Sequence, residues 1–336
     1  MNILLTSAGR RTYMVQYFKN ALNGFGQVHA SNSVYTYTLG CADQYVLTPN
    51  IYDDGYICFL IEYCKQNNIS VIISLFDIDL PILAQNKHKF QDEGISVIVS
   101  DTPVTNICND KWQTYEFLTQ IKIKQTPSFL NLSDTIFALE TGAINYPLII
   151  KPRWGMGSIG IYKVNDDNEL KVLYKKLHAE IFASYLKFES AADINQSIII
   201  QEVIKGQEFG IEILNDLNGN FVTCIAKKKI AMRSGETDIA EIVDNTPFIN
   251  IAKCISENLK HIANLDVDCF VTNDGEIYVL EMNCRFGGQY PFSHNAGVDF
   301  PKQIIEWIHG KATDIKLITP KIGTISCKDL TPVILK

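Results

Sequence analysis

Long apolar runs are missing from this chain of 336 residues. No stretch reaches the roughly 20 consecutive apolar residues that a bilayer span needs, so a transmembrane helix is excluded. Extended basic runs are missing too. Thirty lysines and arginines stand against 37 aspartates and glutamates, a formal net charge of −7. That balance offers neither nucleic acid nor an anionic membrane the positive patch it would bind. The nine cysteines include no C-x-x-C pair, which argues against a zinc site or a disulfide framework and for buried, reduced thiols. Repeats, low-complexity tracts and a proline-rich linker are also absent. The opening strand, Asn2 to Thr6, is short and uncharged at its start, unlike a signal peptide, and the expected compartment is the cytosol. With 46% hydrophobic and 20% charged residues, the chain is a folded protein of about two domains. A small-molecule role is the function class left standing.

Short Val/Ile-rich runs alternate with amphipathic segments through the first hundred residues: 3–6, 11–22, 28–31, 56–66, 71–75, 80–90 and 97–100. That alternation predicts βαβ units on a parallel sheet. After Asp101-Thr102-Pro103 the pattern changes, with a helix expected at 110–120, strands at 146–151 and 159–164, and a helix at 166–187. From Ser197 onward strands dominate, at 197–203, 208–214, 220–228, 267–272 and 276–282, with one helix near 248–263. The turns Asn218-Gly219-Asn220 and Asn273-Asp274-Gly275 make antiparallel hairpins of the strands they join.

Two constellations carry chemistry. Residues 155–160 read Gly-Met-Gly-Ser-Ile-Gly, a G-x-G-x-x-G string that runs on into a strand and not into a helix, so it is no dinucleotide fingerprint. No G-x-x-x-x-G-K-[ST] loop occurs either. A glycine hairpin led in by Lys151-Pro152-Arg153 sets two cations beside backbone N–H groups free to face a phosphate; a plain tight turn is the alternative. The second constellation is Asp268 on one strand with Glu281 and Asn283 on its hairpin partner. Residues two apart share a face, so three oxygen donors converge as Mg²⁺ prefers, and Arg285 follows on that face. An edge of solvated charges is the competing reading.

In this order the two constellations make the sequence resemble the ATP-grasp superfamily, and within it stand-alone ligases similar to the carbamoyl phosphate synthetase large subunit. The most specific stretch is Asp274-Gly275-Glu276-Ile277-Tyr278 followed by Glu281-Met282-Asn283-Cys284-Arg285. The resemblance implies an α/β and α+β fold in three parts. A Rossmann-like, pre-ATP-grasp parallel sheet would occupy residues 1–102, a lid subdomain with the glycine loop 103–192, and a C-terminal antiparallel subdomain with the metal site 193–336. It further implies ATP and Mg²⁺, with Mn²⁺ as a substitute. Lys111 and Lys151 would meet the phosphates with Gly155, Gly157 and Ser158. Gln201, Glu202 and Val203 would hold adenine, and Glu208 the ribose. Asp268, Glu281 and Asn283 would ligate the metal, and Arg285, Arg233 and Lys151 would serve the transferring phosphoryl group.

The implied reaction is activation of a small-molecule carboxylate as an acyl phosphate for attack by an amine, with ADP and phosphate released. Closure of the 155–160 flap would exclude water from that intermediate. A homodimer is the expected assembly. A non-catalytic ATP-sensing module is the alternative. A nicotinamide oxidoreductase would need a glycine fingerprint that Ser7-Ala8-Gly9-Arg10-Arg11 does not supply. Taken singly, Lys111 also fits a helix-surface lysine, Glu202 and Glu208 fit strand-edge charges, and Arg233 fits a solvent-facing loop. Cys284 is expected in the core and His294 in a structural hydrogen bond. At the strand ends of the N-terminal sheet, Arg10 or Arg11 could meet an acidic substrate group and Asp77 or Asp79 an amine; capping and interdomain ion pairs stay equally open there.

Overall fold

A computed structural model describes residues 1–155 and 160–335. Strands β1 (Asn2–Thr6), β2 (Val28–Asn32), β3 (Gln44–Leu47), β4 (Ile69–Ser74) and β5 (Ser96–Ile98) form a sheet in the order β3-β2-β1-β4-β5, with every neighbouring pair parallel. Period-two alternation covers both of its faces. Leu4 and Ile72 pack on one side with Tyr56, Leu60 and Leu83, while Ile3 and Leu5 pack on the other with Met14 and Phe18. The strand order reverses between β1 and β4, which opens a crevice at their carboxyl ends. Asp79 stitches that crevice, accepting hydrogen bonds from Thr6, Ser7, Ser74 and Tyr56 while fully buried.

The lid sheet holds β6 (Ser128–Phe129), β7 (Leu148–Pro152), β8 (Tyr162–Val164) and β9 (Ile198–Glu202) in the antiparallel order β6-β9-β7-β8. Its helix, Asp167–Ala183, starts at the N-cap Asp166, whose carboxylate accepts from the amides of Asn168 and Glu169. The helix expected over 166–187 ends at Ala183, and a separate short helix, Lys187–Ser190, follows.

The third sheet runs β14 (Ile277–Asn283), β13 (Asn264–Val271), β10 (Gln207–Asn215), β11 (Phe221–Arg233), β12 (Glu236–Val243) and β15 (Ile325–Cys327), all neighbours antiparallel. Both expected hairpin turns are present, with Gly219 and Gly275 at φ of +78° and +86°, where a side chain would be strained. The strand expected to end at 228 continues through Arg233, and β12 was not anticipated. Lys227-Lys228-Lys229 breaks the apolar alternation, yet Lys227 and Lys229 are buried because β10 offers each a glutamate. The helix expected over 248–263 spans Ile249–Leu259.

The two outer sheets share cores. One cluster joins Leu4 and Ile72 to Ile211, Leu265 and Met282, and a second joins Ile3 and Phe18 to Leu214, Ile225 and Tyr290. The lid keeps a core of its own around Leu148, Leu177 and Ile200. Helices Thr102–Asn109 and Lys111–Gln120 contribute Val104, Phe117 and Leu118 to the first cluster and not to the lid's.

Candidate active site

The lysine side is built by Asp110. Its carboxylate caps helix Lys111–Gln120, accepting from the Trp112 amide at 2.9 Å, and receives both Nε (2.8 Å) and a terminal nitrogen (2.7 Å) of Arg153. This fork-on-carboxylate pair fixes the helix start against the end of β7. The Lys111 amide adds a bond to the Arg153 carbonyl at 3.3 Å. Lys111 Nζ donates to the Gly155 carbonyl at 2.6 Å. In β7 the neighbouring Ile150 fills the lid core, so Lys151 projects from the opposite face towards Glu281. Burial pushes the Lys151 ammonium down to about 8, Glu281 partly restoring it and Lys111 lowering it further.

The carboxylate side lies on the β13–β14 hairpin. Asp268 pairs with Glu281 and Asp266 with Asn283, so the expected cross-strand pairing of Asp268 with Glu281 is present. Burial would raise the Glu281 carboxyl, but Lys151, Lys111, Lys229 and Arg285 outweigh it and hold it below the usual range. Among the described residues, neither Glu281 nor the Asn283 amide has a side-chain hydrogen-bond partner. Asp268 is less free. One of its oxygens takes both Lys229 (2.7 Å) and Gln289 (3.1 Å), and burial pushes its carboxyl up to about 6 against the pull of Lys229. Arg285 sits between Asp77 (2.8 Å) and Asp266 (3.3 Å); burial works to lower its pKa and these carboxylates raise it well above the ordinary value.

Among the described residues no three His, Cys, Asp or Glu side chains cluster tightly enough for an all-protein metal cage. The donor set suits a hard cation that keeps other oxygens. Glu281 and Asn283 are open, Asp268 has its second oxygen left, and such a set is what Mg²⁺ takes when nucleotide phosphates complete its shell.

The remaining candidates have the following surroundings. At the end of β9, Gln201 is buried and donates to Ser128 at 2.8 Å, the Glu202 carboxylate accepts from the Asn145 amide at 3.0 Å, and the Val203 amide donates to the Pro147 carbonyl. Glu208 is held by Lys229 at 2.6 Å. Gly155 has φ +131° and a Cβ there would lie 3.0 Å from Leu186, so only glycine fits without strain. Gly157 and Ser158 lie outside the described residues. Arg233 is exposed near the β11–β12 turn, bound to Asp238 at 2.8 Å and to none of the carboxylates around Glu281. Cys284 is in the core, as expected, and His294 stacks on Tyr17 at 3.6 Å. Arg10 is exposed, and Asp77 and Asp79 are used within the protein, in the Arg285 pair and the strand-end network. Four site residues escaped the sequence reading: Asp110, Lys229, Asp266 and Gln289; Arg153, expected as a cation beside the phosphate, is paired with Asp110. Asp266-Val267-Asp268 alternation and the charged faces of β10 and β11 carried the only signal for two of them, Asp266 and Lys229.

Comparison with known proteins places the chain in a family. Residues 3–98 match the family described as PylC-like, N-terminal domain, and residues 108–289 match the ATP-grasp domain. The chain belongs to the ATP-grasp family. It is 31% identical over 233 residues to D-alanine--D-alanine ligase of Thermotoga petrophila, covering 64% of this chain and 70% of that protein. The carbamoyl phosphate synthase arginine-specific large chain of Bacillus subtilis is 21% identical over 82% of this chain, which spans 25% of it. Pyruvate carboxylase of Bacillus subtilis is 23% identical over 67% of this chain, which spans only 20% of that protein. The structure of L-amino acid ligase from Bacillus licheniformis superposes with a TM-score of 0.73 at 18% identity, covering 96% of this chain and 78% of that one. Among the described residues no helix is long and apolar enough to cross a membrane.

Proposed function

We propose that this protein is an ATP- and Mg²⁺-dependent ligase that activates a small-molecule carboxylate as an acyl phosphate for attack by an amine, releasing ADP and phosphate. The observation that carries the reading is that Lys151 of β7 and Lys111 face Glu281 of the β13–β14 hairpin, whose carboxylate has no side-chain hydrogen-bond partner among the described residues. Lys111 and Lys151 would bind the nucleotide phosphates, whose charge would favour the ammonium form of Lys151 that burial disfavours. Glu281, Asn283 and Asp268 would hold the cation, which would supply charge neutralisation for the nucleotide phosphates. Arg285, kept cationic and oriented by Asp77 and Asp266, would hold the transferring phosphoryl group beside the crevice of the N-terminal sheet. Little covalent chemistry falls to the protein, since phosphoryl transfer depends mainly on positioning and charge.

Support also comes from relatives whose names denote joining of amino acids, such as D-alanine--D-alanine ligase. The test is ADP release from ATP and Mg²⁺ with carboxylic acids and amines supplied together and apart, in the native protein and in Glu281→Gln. Release that needs both pools and vanishes in the variant supports the ligase. Tight nucleotide binding without stimulated release would favour a sensing role.

A further inference from the structure

Lys229 is a buried cation that the proposed reaction does not use. It lies on β11 with 3% of its side chain exposed, and its ammonium holds two carboxylates at once, Glu208 of β10 at 2.6 Å and Asp268 of β13 at 2.7 Å. The three side chains meet because β10 is the strand between β11 and β13. Gly210 pairs with Lys227 on one side and Asp268 on the other, so by alternation Glu208, Lys229 and Asp268 emerge on one face of the sheet. Gln289 donates to the same Asp268 oxygen as Lys229, at 3.1 Å. Asp268 therefore has one oxygen left to offer, with a fixed positive charge on the other.

The consequence is electrostatic. Of the three oxygen donors assigned to the cation only two, Asp268 and Glu281, are carboxylates, and Lys229 already neutralises the first. Glu208 anchors the same ammonium, which keeps it from swinging aside. Lys229 thus opposes a divalent ion that arrives alone, because like charges that close repel strongly where burial limits screening. An ion carried by nucleotide phosphates brings negative charge with it, and the opposition is offset.

We propose that Lys229 is a positioning residue that keeps the site closed to free divalent cation and open to cation carried by nucleotide. It acts through Asp268, whose shared oxygen it occupies. The proposal rests on the reading of Asp268, Glu281 and Asn283 as cation ligands and adds the condition under which they bind.

Manganese titration of the nucleotide-free protein, with free Mn²⁺ followed by its paramagnetic resonance signal, tests this. Lys229→Met is expected to bind Mn²⁺ at least about tenfold more tightly than the native protein, the effect of removing one like charge at this range. Gln289 still holds the shared oxygen in the variant, so Asp268 keeps its orientation. Lys229→Arg retains the charge and should match the native protein. Adding Glu281→Gln to Lys229→Met should abolish the gain, which places the gained ion at this site. Should Lys229→Met fail to fold, Lys229→Gln with Glu208→Gln removes one charge of each sign and is expected to show the same gain. A folded variant without that gain, an equal gain in Lys229→Arg, or a gain that survives Glu281→Gln would overturn the proposal and leave Lys229 a structural ion pair. A native protein whose melting temperature rises no further with MnADP than with ADP alone would instead overturn the cation reading on which it rests.

Discussion

Lys151 is the residue whose ionisation most directly links the fold to nucleotide. Burial brings its ammonium down to about 8, so near neutral pH it is mostly charged, and above pH 8 mostly neutral. Nucleotide phosphates favour the charged form and would raise that value. ATP affinity is therefore expected to be level below pH 7 and to fall as pH rises through 8 to 9, with proton uptake on binding near pH 8 that calorimetry in buffers of different ionisation enthalpy would detect. Affinity that stays flat across this range would contradict the placement of Lys151 at the phosphates. A second residue-scale case is Lys227, fully buried with Glu212 at 2.8 Å and Ser293 at 3.0 Å. Lys227→Met should cost about 3–5 kcal/mol in unfolding free energy, since it strands a buried carboxylate, whereas the double change with Glu212→Leu should recover most of it.

At the scale of elements, the sequence announced the β13–β14 hairpin because Asn273-Asp274-Gly275 fixes the turn and alternation fixes the faces; the pairing of Asp268 with Glu281 followed from those two facts. The β11–β12 pair was hidden because three consecutive lysines look like the end of a strand, and only the glutamates of β10, distant in sequence until the strands pair, make two of those lysines interior. Asp110 escaped for a similar reason. Its capping role is local, but its second role depends on Arg153, brought from β7 by the fold. Asp110→Ala removes both and is expected to destabilise the protein by about 3 kcal/mol or more, while Asp110→Asn keeps the cap and should cost less. Equal losses on chemical denaturation would show that the cap contributes nothing beyond the Arg153 pair. Gly210 is a third element-scale constraint: a Cβ there would lie 1.6 Å from the Gln289 side chain, which bridges Asp266 and Asp268. Gly210→Ala should therefore weaken cation binding before it weakens nucleotide binding, as fluorescence titration with Mn²⁺ would report.

Across the whole molecule, the parallel and the large antiparallel sheets are one body, because both of their cores contain residues from each, and the lid is a second body with its own core. Alternation of strand and helix revealed the first sheet from the sequence. Sharing of cores could not be read there, since it depends on which faces meet. Hydrogen exchange should show the two outer sheets opening together and the lid separately, and independent opening of residues 1–100 would contradict this division. Asp110 with Arg153 and Asp77 with Arg285 then act as the clamps that bring lid cations and sheet carboxylates to one crevice. Whether that crevice joins a carboxylate to an amine is tested most directly by ADP release from MgATP in the native protein and in Glu281→Gln. The account predicts release that requires a carboxylate and an amine together and is abolished in the variant while the fold persists. Release at an unaltered rate in Glu281→Gln would contradict it.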